Sequence, residues 1–323
     1  MILITGSNTL HGAELVKKLS NKGEKIKCYD YFKPVDLPEG AEFLQGDLFN
    51  LKQMNKACKG VDTVIHLLDK QRYKRTGRGK MKKINIKGTS NLLACAKRAG
   101  VKRFIFQSTY AVYGKTKSFP VKENDIKKPC TPYGKDKLRA EILCETFCKK
   151  NEISYSILRP ALITGPGTNN PSILISLYMA MAMSDDNIMY LAGDGDTYFQ
   201  LISPEDTAEA LYSIYKIGDE ANEHIFNAGS DNVPTQMEQI VKIKEKEKLD
   251  FSIKHITPFK ARLYSILLKP SKVNFFTKDH KFYLFNSMYL DCQKLKEETG
   301  WNPKKNNIEI LSDTIEWYRG KIS

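Results

Sequence analysis

The sequence predicts an α/β protein built on a doubly wound parallel sheet, with a smaller, interleaved C-terminal lobe. Three observations support this fold class. Short apolar strands alternate with amphipathic helices in the first half of the chain. A glycine-containing turn joins the first strand to the first helix. After Pro160 the alternation loosens into short elements separated by turn clusters.

The elements of the first half follow one another in a regular order. Strands are predicted at residues 2–4, 26–30, 42–47, 63–68, 103–107 and 154–159. Helices are predicted at residues 11–19, from about 84 to 99 and from about 134 to 150. Strands separated by helices pair in parallel, and right-handed crossovers place the helices on both faces of the sheet.

The C-terminal third contains fewer recognisable elements. It includes a lysine-rich helix from about 236 to 248, an apolar stretch at 263–268 and a last helix at about 308–318. No repeat or low-complexity linker separates this part from the first half. We therefore expect two interleaved lobes.

The charge of the chain is strongly positive, and part of it is concentrated in one segment. The 323 residues carry 51 Lys and Arg against 37 Asp and Glu, a net charge of +14. The segment from Lys70 to Lys87 has nine basic residues and no acidic one, and residues 71–80 are predicted to form a loop. Three roles are open for this segment: a solvated loop, attraction of an anionic substrate or cofactor phosphate, or contact with nucleic acid or lipid head groups. Tyr73 is the one aromatic residue interleaved with these charges, which disfavours nucleic acid.

Cysteine usage and the N-terminus indicate the compartment. The seven cysteines are scattered and include no CxxC pair, which favours reduced thiols over disulfides or a zinc site. The chain opens on Met1-Ile2-Leu3-Ile4 with no basic segment ahead of the apolar run. No apolar run approaches the roughly 20 residues that cross a bilayer. We expect a cytoplasmic protein without a metal site, and peripheral membrane contact stays open.

Residues 5–12 form a candidate phosphate-binding loop after the first strand. Their spacing is TGxxGxxG, with Thr9 at the second glycine position. In a Rossmann-type fold, such a turn aims backbone N–H groups and a helix N-terminus at a pyrophosphate. Asp30 ends the second strand about twenty residues later, where a carboxylate accepts hydrogen bonds from ribose hydroxyls and repels a 2′-phosphate. This pattern favours NAD over NADP.

Tyr133 and Lys137 are the candidate catalytic pair. They are four residues apart and share one face of a predicted helix. An ammonium beside a phenol stabilises the phenolate, so that the phenol can exchange a proton with a secondary alcohol near neutral pH. A buried strand ending in Gln107-Ser108-Thr109 lies upstream, and such strand ends bind ligands in parallel sheets.

Taken together, these motifs give the chain a resemblance to a known family. It resembles the extended short-chain dehydrogenases/reductases, the superfamily of NAD-dependent epimerases/dehydratases and 3β-hydroxysteroid dehydrogenases. The matching segments run in order along the chain: residues 5–12, Asp30, 46–48, 64–67, 85–89, 112–114, 132–137, 158–160, 165–167, 193–195, 226–229 and 300–303.

The resemblance implies roles for individual residues. Tyr133 would be the general acid or base, Lys137 would tune it and bind the nicotinamide ribose, and Thr109 would hold the reacting oxygen. The cofactor-binding residues would be Gly6, Asn8, Thr9, Leu10, Gly12, Asp30, Asp47, Leu48, Leu67, Tyr133, Lys137 and Pro160. Asn85 is either a supporting polar residue of the substrate site or a helix-start cap.

The same resemblance implies an organisation. Residues 1–165 would form the NAD-binding Rossmann domain, to which a segment of about 200–230 returns. Residues 166–199 and 231–323 would form the substrate-binding lobe. A homodimer would form through residues 86–99 and 136–147.

Two departures from the family pattern concern the substrate. Nucleotide-sugar enzymes of this superfamily carry an arginine after the GDG turn, and Phe199 stands there in this chain. The asparagine expected before the GPG turn is also replaced, within Ala161-Leu162-Ile163-Thr164. A pocket lined by Leu162, Tyr198 and Phe199 would suit a less polar alcohol or ketone.

Three functions follow as hypotheses. The first is an NAD(P)-dependent oxidoreductase or epimerase that transfers hydride at a secondary alcohol or ketone carbon of a small molecule. The second is a nucleotide-sugar epimerase or dehydratase, in which the basic segment replaces the missing arginine. The third is a catalytically weak dinucleotide-sensing protein, suggested by Thr9 and Phe199.

Overall fold

A seven-stranded parallel sheet forms the centre of the protein. The computed structural model describes residues 1–34, 36–68, 78–168, 188–257 and 285–322, together with residues 259 and 282. The strands are β1 (Ile2–Thr5), β2 (Ile26–Asp30), β3 (Glu42–Gln45), β4 (Thr63–His66), β5 (Arg103–Gln107), β6 (Ser154–Pro160) and β10 (His224–Ala228). Their order across the sheet is β10-β6-β5-β4-β1-β2-β3, with every pairing parallel. The predicted fold class is confirmed.

Helices cover both faces of this sheet and extend into the second lobe. Those described are α1 (Leu10–Asn21), α2 (Leu51–Cys58), α3 (Arg78–Lys82), α4 (Thr89–Arg98), α5 (Pro132–Lys150), α6 (Pro204–Lys216), α7 (Gln236–Lys246), α8 (Gln293–Thr299) and α9 (Asn307–Ile322). A π-helical turn, Lys83–Gly88, joins α3 to α4. The helix predicted from about residue 84 therefore begins earlier, at Arg78, and changes from α-helical to π-helical and back to α-helical.

The sheet is buried on both faces, which explains why its strands read as short apolar runs. Leu19 of α1 and Leu211 of α6 pack on one face. Leu92 of α4 and Ala140 of α5 pack on the other face. Packing of helices on both faces therefore fixes the position of the sheet edge at which the parallel strands end.

A second lobe has its own small sheets and its own core. Strand β8 (Ile188–Ala192) pairs with β11 (Ser252–Ile256), and β7 (Leu162–Ile163) pairs with β9 (Leu201–Ile202). The core of this lobe brings Phe199 together with Ile240 of α7 and Ile310 of α9. Strand β10 and helix α6 lie between these segments in sequence yet pack with the central sheet. The exact domain boundaries stay a prediction.

Two predicted segments fall partly or wholly outside the described residues. The apolar stretch at 263–268 lies wholly outside them, and so do residues 70–77 of the basic segment. The loop predicted at 71–80 is wrong for its last three residues, because α3 begins at Arg78. Within the described ranges, no helix combines the length and apolar character needed to cross a membrane.

Candidate active site

The candidate active site lies where the strand order reverses, beside β1. Strand β1 has β2 on one side and β4 on the other, so the connections from these strands leave in opposite directions. Gly6 follows β1 with a φ of +81°, and a Cβ atom there would lie 2.6 Å from the Leu68 backbone nitrogen. The loop after β1 therefore packs directly against the end of β4, and this requires glycine.

The loop from Gly6 to Gly12 forms a tight cradle at the N-terminus of α1. A Cβ atom on Gly12 would lie 2.3 Å from the Gly6 carbonyl oxygen. Leu10 reaches the GPG turn, since a Cβ atom on Gly167 would lie 3.0 Å from its Cδ2. This cradle, which a side chain at Gly12 would fill, fits a pyrophosphate held by backbone N–H groups.

Asp30 ends β2 beside this cradle and is held by backbone donors. Its Oδ2 accepts a hydrogen bond from the Asn8 backbone N–H at 3.0 Å, and its Oδ1 accepts one from the Tyr31 backbone N–H at 2.7 Å. Asn8 also donates from its side chain to the Phe32 carbonyl oxygen. Burial raises the pKa of Asp30, which is 8 % exposed. A carboxylate fixed beside a phosphate cradle fits the adenosine ribose of NAD.

Four further residues predicted to bind the cofactor are buried or held by hydrogen bonds. Asp47 accepts at Oδ1 from the Phe49 backbone N–H, at 2.8 Å. Leu48 is buried and packs against Gly88, where a Cβ atom would lie 2.7 Å from its Cδ1. Leu67 and Pro160 are buried at the ends of β4 and β6. The cofactor contacts of these residues stay predictions.

Helix α5 brings Tyr133 to the end of β5. Thr131 caps the helix by accepting from the Gly134 backbone N–H at 3.0 Å. A Cβ atom on Gly134 would lie 2.3 Å from the Ala111 carbonyl oxygen, so glycine lets the first turn of α5 press against the turn after Thr109. Thr109 Oγ1 accepts from the Ala111 backbone N–H at 3.3 Å. The structure therefore brings the Thr109 and Tyr133 segments together.

Lys137 lies one helical turn further along α5 and is buried beneath the site. Its Nζ donates to the Gln107 carbonyl oxygen at 2.6 Å and lies 4.4 Å from the centre of the Phe106 ring. Its side chain is anchored at the end of β5, the strand that leads to Thr109. The sequence could not reveal this anchor, because a backbone carbonyl leaves no motif.

His66 is a second group near Lys137 that was recognised only as part of a family segment. Its Nδ1 lies 2.6 Å from Thr5 Oγ1, and its Nε2 lies 3.0 Å from Thr89 Oγ1. The Thr89 hydroxyl donates to the Asn85 carbonyl oxygen, so it accepts from His66 Nε2–H. Complete burial, with a smaller contribution from the Lys137 charge, lowers the pKa of His66 to about 3.

A buried ion pair joins α5 to β6. Arg159 of β6 donates from Nε and Nη2 to Glu141 of α5 at 2.9 and 2.8 Å. Its Nη1 donates to the Tyr113 hydroxyl at 2.9 Å, and Tyr113 donates to Asn227 Oδ1 at 2.7 Å. This network fixes α5 relative to β6 and β10.

The described end of the basic segment lies against Tyr133. Met81 of α3 is completely buried and packs with Ala111 and Tyr133. Lys80 and Lys82, on either side of Met81, are exposed. Part of the basic segment is therefore next to the candidate catalytic residue.

The predicted substrate residues are distributed between two environments. Asn85 is buried in the π-helical turn, so it does not cap a helix start. Phe199 is 3 % exposed in the core of the second lobe. Leu162 is half-buried, and half-buried Tyr198 lies beside Tyr289 with ring centres 6.0 Å apart. Their role in a substrate pocket stays a prediction.

Comparison with known proteins identifies the family. The model of the NAD dependent epimerase/dehydratase family matches residues 2–229. The chain belongs to this family. The predictions of an NAD-dependent enzyme and of the extended short-chain dehydrogenase/reductase type are therefore confirmed.

Three proteins are similar to this chain over nearly its full length. Short-chain dehydrogenase/reductase family 42E member 1 of Danio rerio is 24% identical over 99% of this chain and 88% of its own length. The UDP-glucose 4-epimerase of Lactobacillus helveticus is 23% identical over 98% of this chain and 97% of its own length. The crystal structure of UDP-glucuronic acid 4-epimerase from Bacillus cereus in complex with NAD is 20% identical to this chain. The match covers 100% of this chain and 99% of that one, with a TM-score of 0.80. The structural match supports the same fold.

Proposed function

We propose that this protein oxidises a secondary alcohol, or reduces the corresponding ketone, by hydride transfer, with Tyr133 as the general acid/base. The observation that carries this proposal is the convergence of three segments at one sheet edge. Gly134 lets Tyr133 approach the turn after Thr109, and Lys137 is anchored to Gln107. The phosphate cradle after β1 lies along the same edge.

Each residue then has a distinct task. Bound NAD supplies the hydride acceptor at its nicotinamide ring. Thr109 holds the reacting oxygen of the substrate, and the Tyr133 phenolate takes its proton as the C–H hydrogen leaves as hydride. Lys137 favours the phenolate through its positive charge. Asp30 binds the adenosine ribose, and the lobe of residues 166–199 and 231–323 encloses the substrate.

Replacing the Tyr133 hydroxyl tests this mechanism. Tyr133→Phe should lower turnover by about 10²–10⁴-fold, because it removes the proton carrier, while NAD binding persists. The assay follows NADH absorbance with a panel of secondary alcohols and ketones, and calorimetry measures NAD affinity. Tyr212→Phe, at a half-buried tyrosine of α6 outside the predicted site, is the matched control and should keep most of the turnover. Unchanged turnover in Tyr133→Phe would refute the assignment and would leave NAD binding as the activity to explain.

A nucleotide-sugar epimerase is the second candidate. Relatives over nearly the full chain include UDP-glucose 4-epimerases, which favours this class. Phe199 argues against it, because a buried aromatic ring occupies the position from which an arginine would bind diphosphate. The exposed Lys80 and Lys82 could supply the cation instead. Incubation of UDP-glucose and UDP-glucuronic acid with the protein and NAD, followed by chromatography of the sugars, discriminates the two functions.

Assembly and location complete the proposal. A homodimer through α4 and α5 is supported by Ile142 of α5, an apolar side chain that is 54 % exposed. A cytoplasmic location is supported by the cysteines, because all seven are free thiols and six of them are buried.

A further inference from the structure

Thr9 occupies the position at which the family pattern has its second glycine. A glycine there gives the backbone room to approach the pyrophosphate. The backbone of Thr9 has φ −73° and ψ 154°, a conformation that every residue adopts easily. The conformation of the loop therefore does not require glycine at this position. Compared with glycine, Thr9 fills space inside the loop and adds hydrogen bonds to it.

The Thr9 hydroxyl closes the loop on itself. Oγ1 donates to the Gly6 carbonyl oxygen at 2.8 Å and accepts from the Gly12 backbone N–H at 3.1 Å. His11 Nε2 lies 3.4 Å from the same oxygen. Because its single proton is committed to Gly6, the hydroxyl has none to donate to a phosphate. It also satisfies one of the helix-terminal N–H groups that would otherwise face an anion.

We propose that Thr9 lowers the affinity for NAD in exchange for a loop that is well ordered without cofactor. The added side-chain volume lies in the phosphate cradle, and the Gly12 N–H is already satisfied by the protein. Weaker binding lets NAD and NADH exchange after each turnover. A net oxidation or reduction needs this exchange, whereas an epimerisation regenerates its cofactor in place. This inference rests on the proposed function and extends it to net dehydrogenase chemistry.

Three substitutions at this position separate volume from hydrogen bonding. Thr9→Gly removes both and should tighten NAD binding about tenfold, the value of one regained hydrogen bond to a charged group. Thr9→Ser removes only the methyl group and should tighten binding less, with an unchanged midpoint of thermal unfolding. Thr9→Val loses the hydroxyl but keeps the volume, which holds a phosphate away from the freed Gly12 N–H. It should therefore lower the midpoint of thermal unfolding without tightening NAD binding.

The measurements are NAD titration by calorimetry and the NAD content of each protein after gel filtration. Neither requires turnover, so they are independent of the substrate. The expected result is tighter binding and greater retention of NAD by Thr9→Gly. Equal or weaker affinity in both Thr9→Gly and Thr9→Ser overturns the inference, and so does a Thr9→Val affinity that matches Thr9→Gly. Absence of NAD binding in all four proteins would overturn the proposed function as well.

Discussion

Protonation of His66 should control the acid stability of the fold. The imidazole is neutral and lies between the Thr5 and Thr89 hydroxyls, near the Lys137 ammonium. Its pKa falls from 6.5 to about 3 on folding, so between these values the unfolded chain binds a proton that the folded chain does not. The stabilisation is therefore complete above pH 6.5 and is lost as the pH falls toward 3.

The size of the effect follows from this linkage. Each pH unit within the window removes up to about 1.4 kcal/mol from the free energy of unfolding. Between about pH 7.5 and about pH 4.5, His66 should account for a loss of about 3 kcal/mol. His66→Gln places a neutral hydrogen-bonding side chain there and should abolish this part of the loss.

Urea unfolding of both proteins at the two pH values measures the effect. Other groups that titrate in this range, among them Asp30 and Glu123 with raised pKa values, contribute equally to both proteins and cancel in the comparison. His255→Gln, at an exposed histidine, is the control and should retain the wild-type loss. If His66→Gln loses as much free energy as the wild type, His66 is not buried in its neutral form.

Two further outcomes are expected. Glu141→Gln should lower the free energy of unfolding by about 3–5 kcal/mol in a urea titration, since it leaves the buried Arg159 charge uncompensated. Glu298→Gln, which breaks the half-exposed pair with His224, should cost less than about 1 kcal/mol, and equal losses would contradict the structural role given to Arg159. Ile142→Glu should convert the proposed dimer to a monomer in light scattering, and an unchanged mass would place the interface elsewhere.

Strand positions and the cofactor motif could be predicted from the sequence because local patterns encode them. Strands β2 and β5 have the predicted bounds, since each is a short apolar run between turn signals. The loop of residues 5–12 and Asp30 lie at the same sheet edge, because parallel strands end there together.

The missing parts of the prediction depend on contacts between segments distant in sequence. The Lys137 anchor is a backbone carbonyl 30 residues away, and the hydroxyls flanking His66 come from β1 and α4. Phe199 was predicted as a pocket residue from its alignment with an arginine, but its surroundings depend on α7 and α9. No local pattern contains that information.

The pairing of β6 with β10 determines when this fold can form during synthesis. Strand β10 begins at His224, so β6 remains an unpaired sheet edge while about sixty more residues are made, roughly 3 to 13 seconds of translation. Asn227, which accepts from Tyr113 in the Arg159 network, arrives at the same late moment. A nascent chain released at residue 165 would expose an aggregation-prone edge. Residues 1–165 of the predicted cofactor domain would then complete their sheet only when the returning segment of about 200–230 has been made.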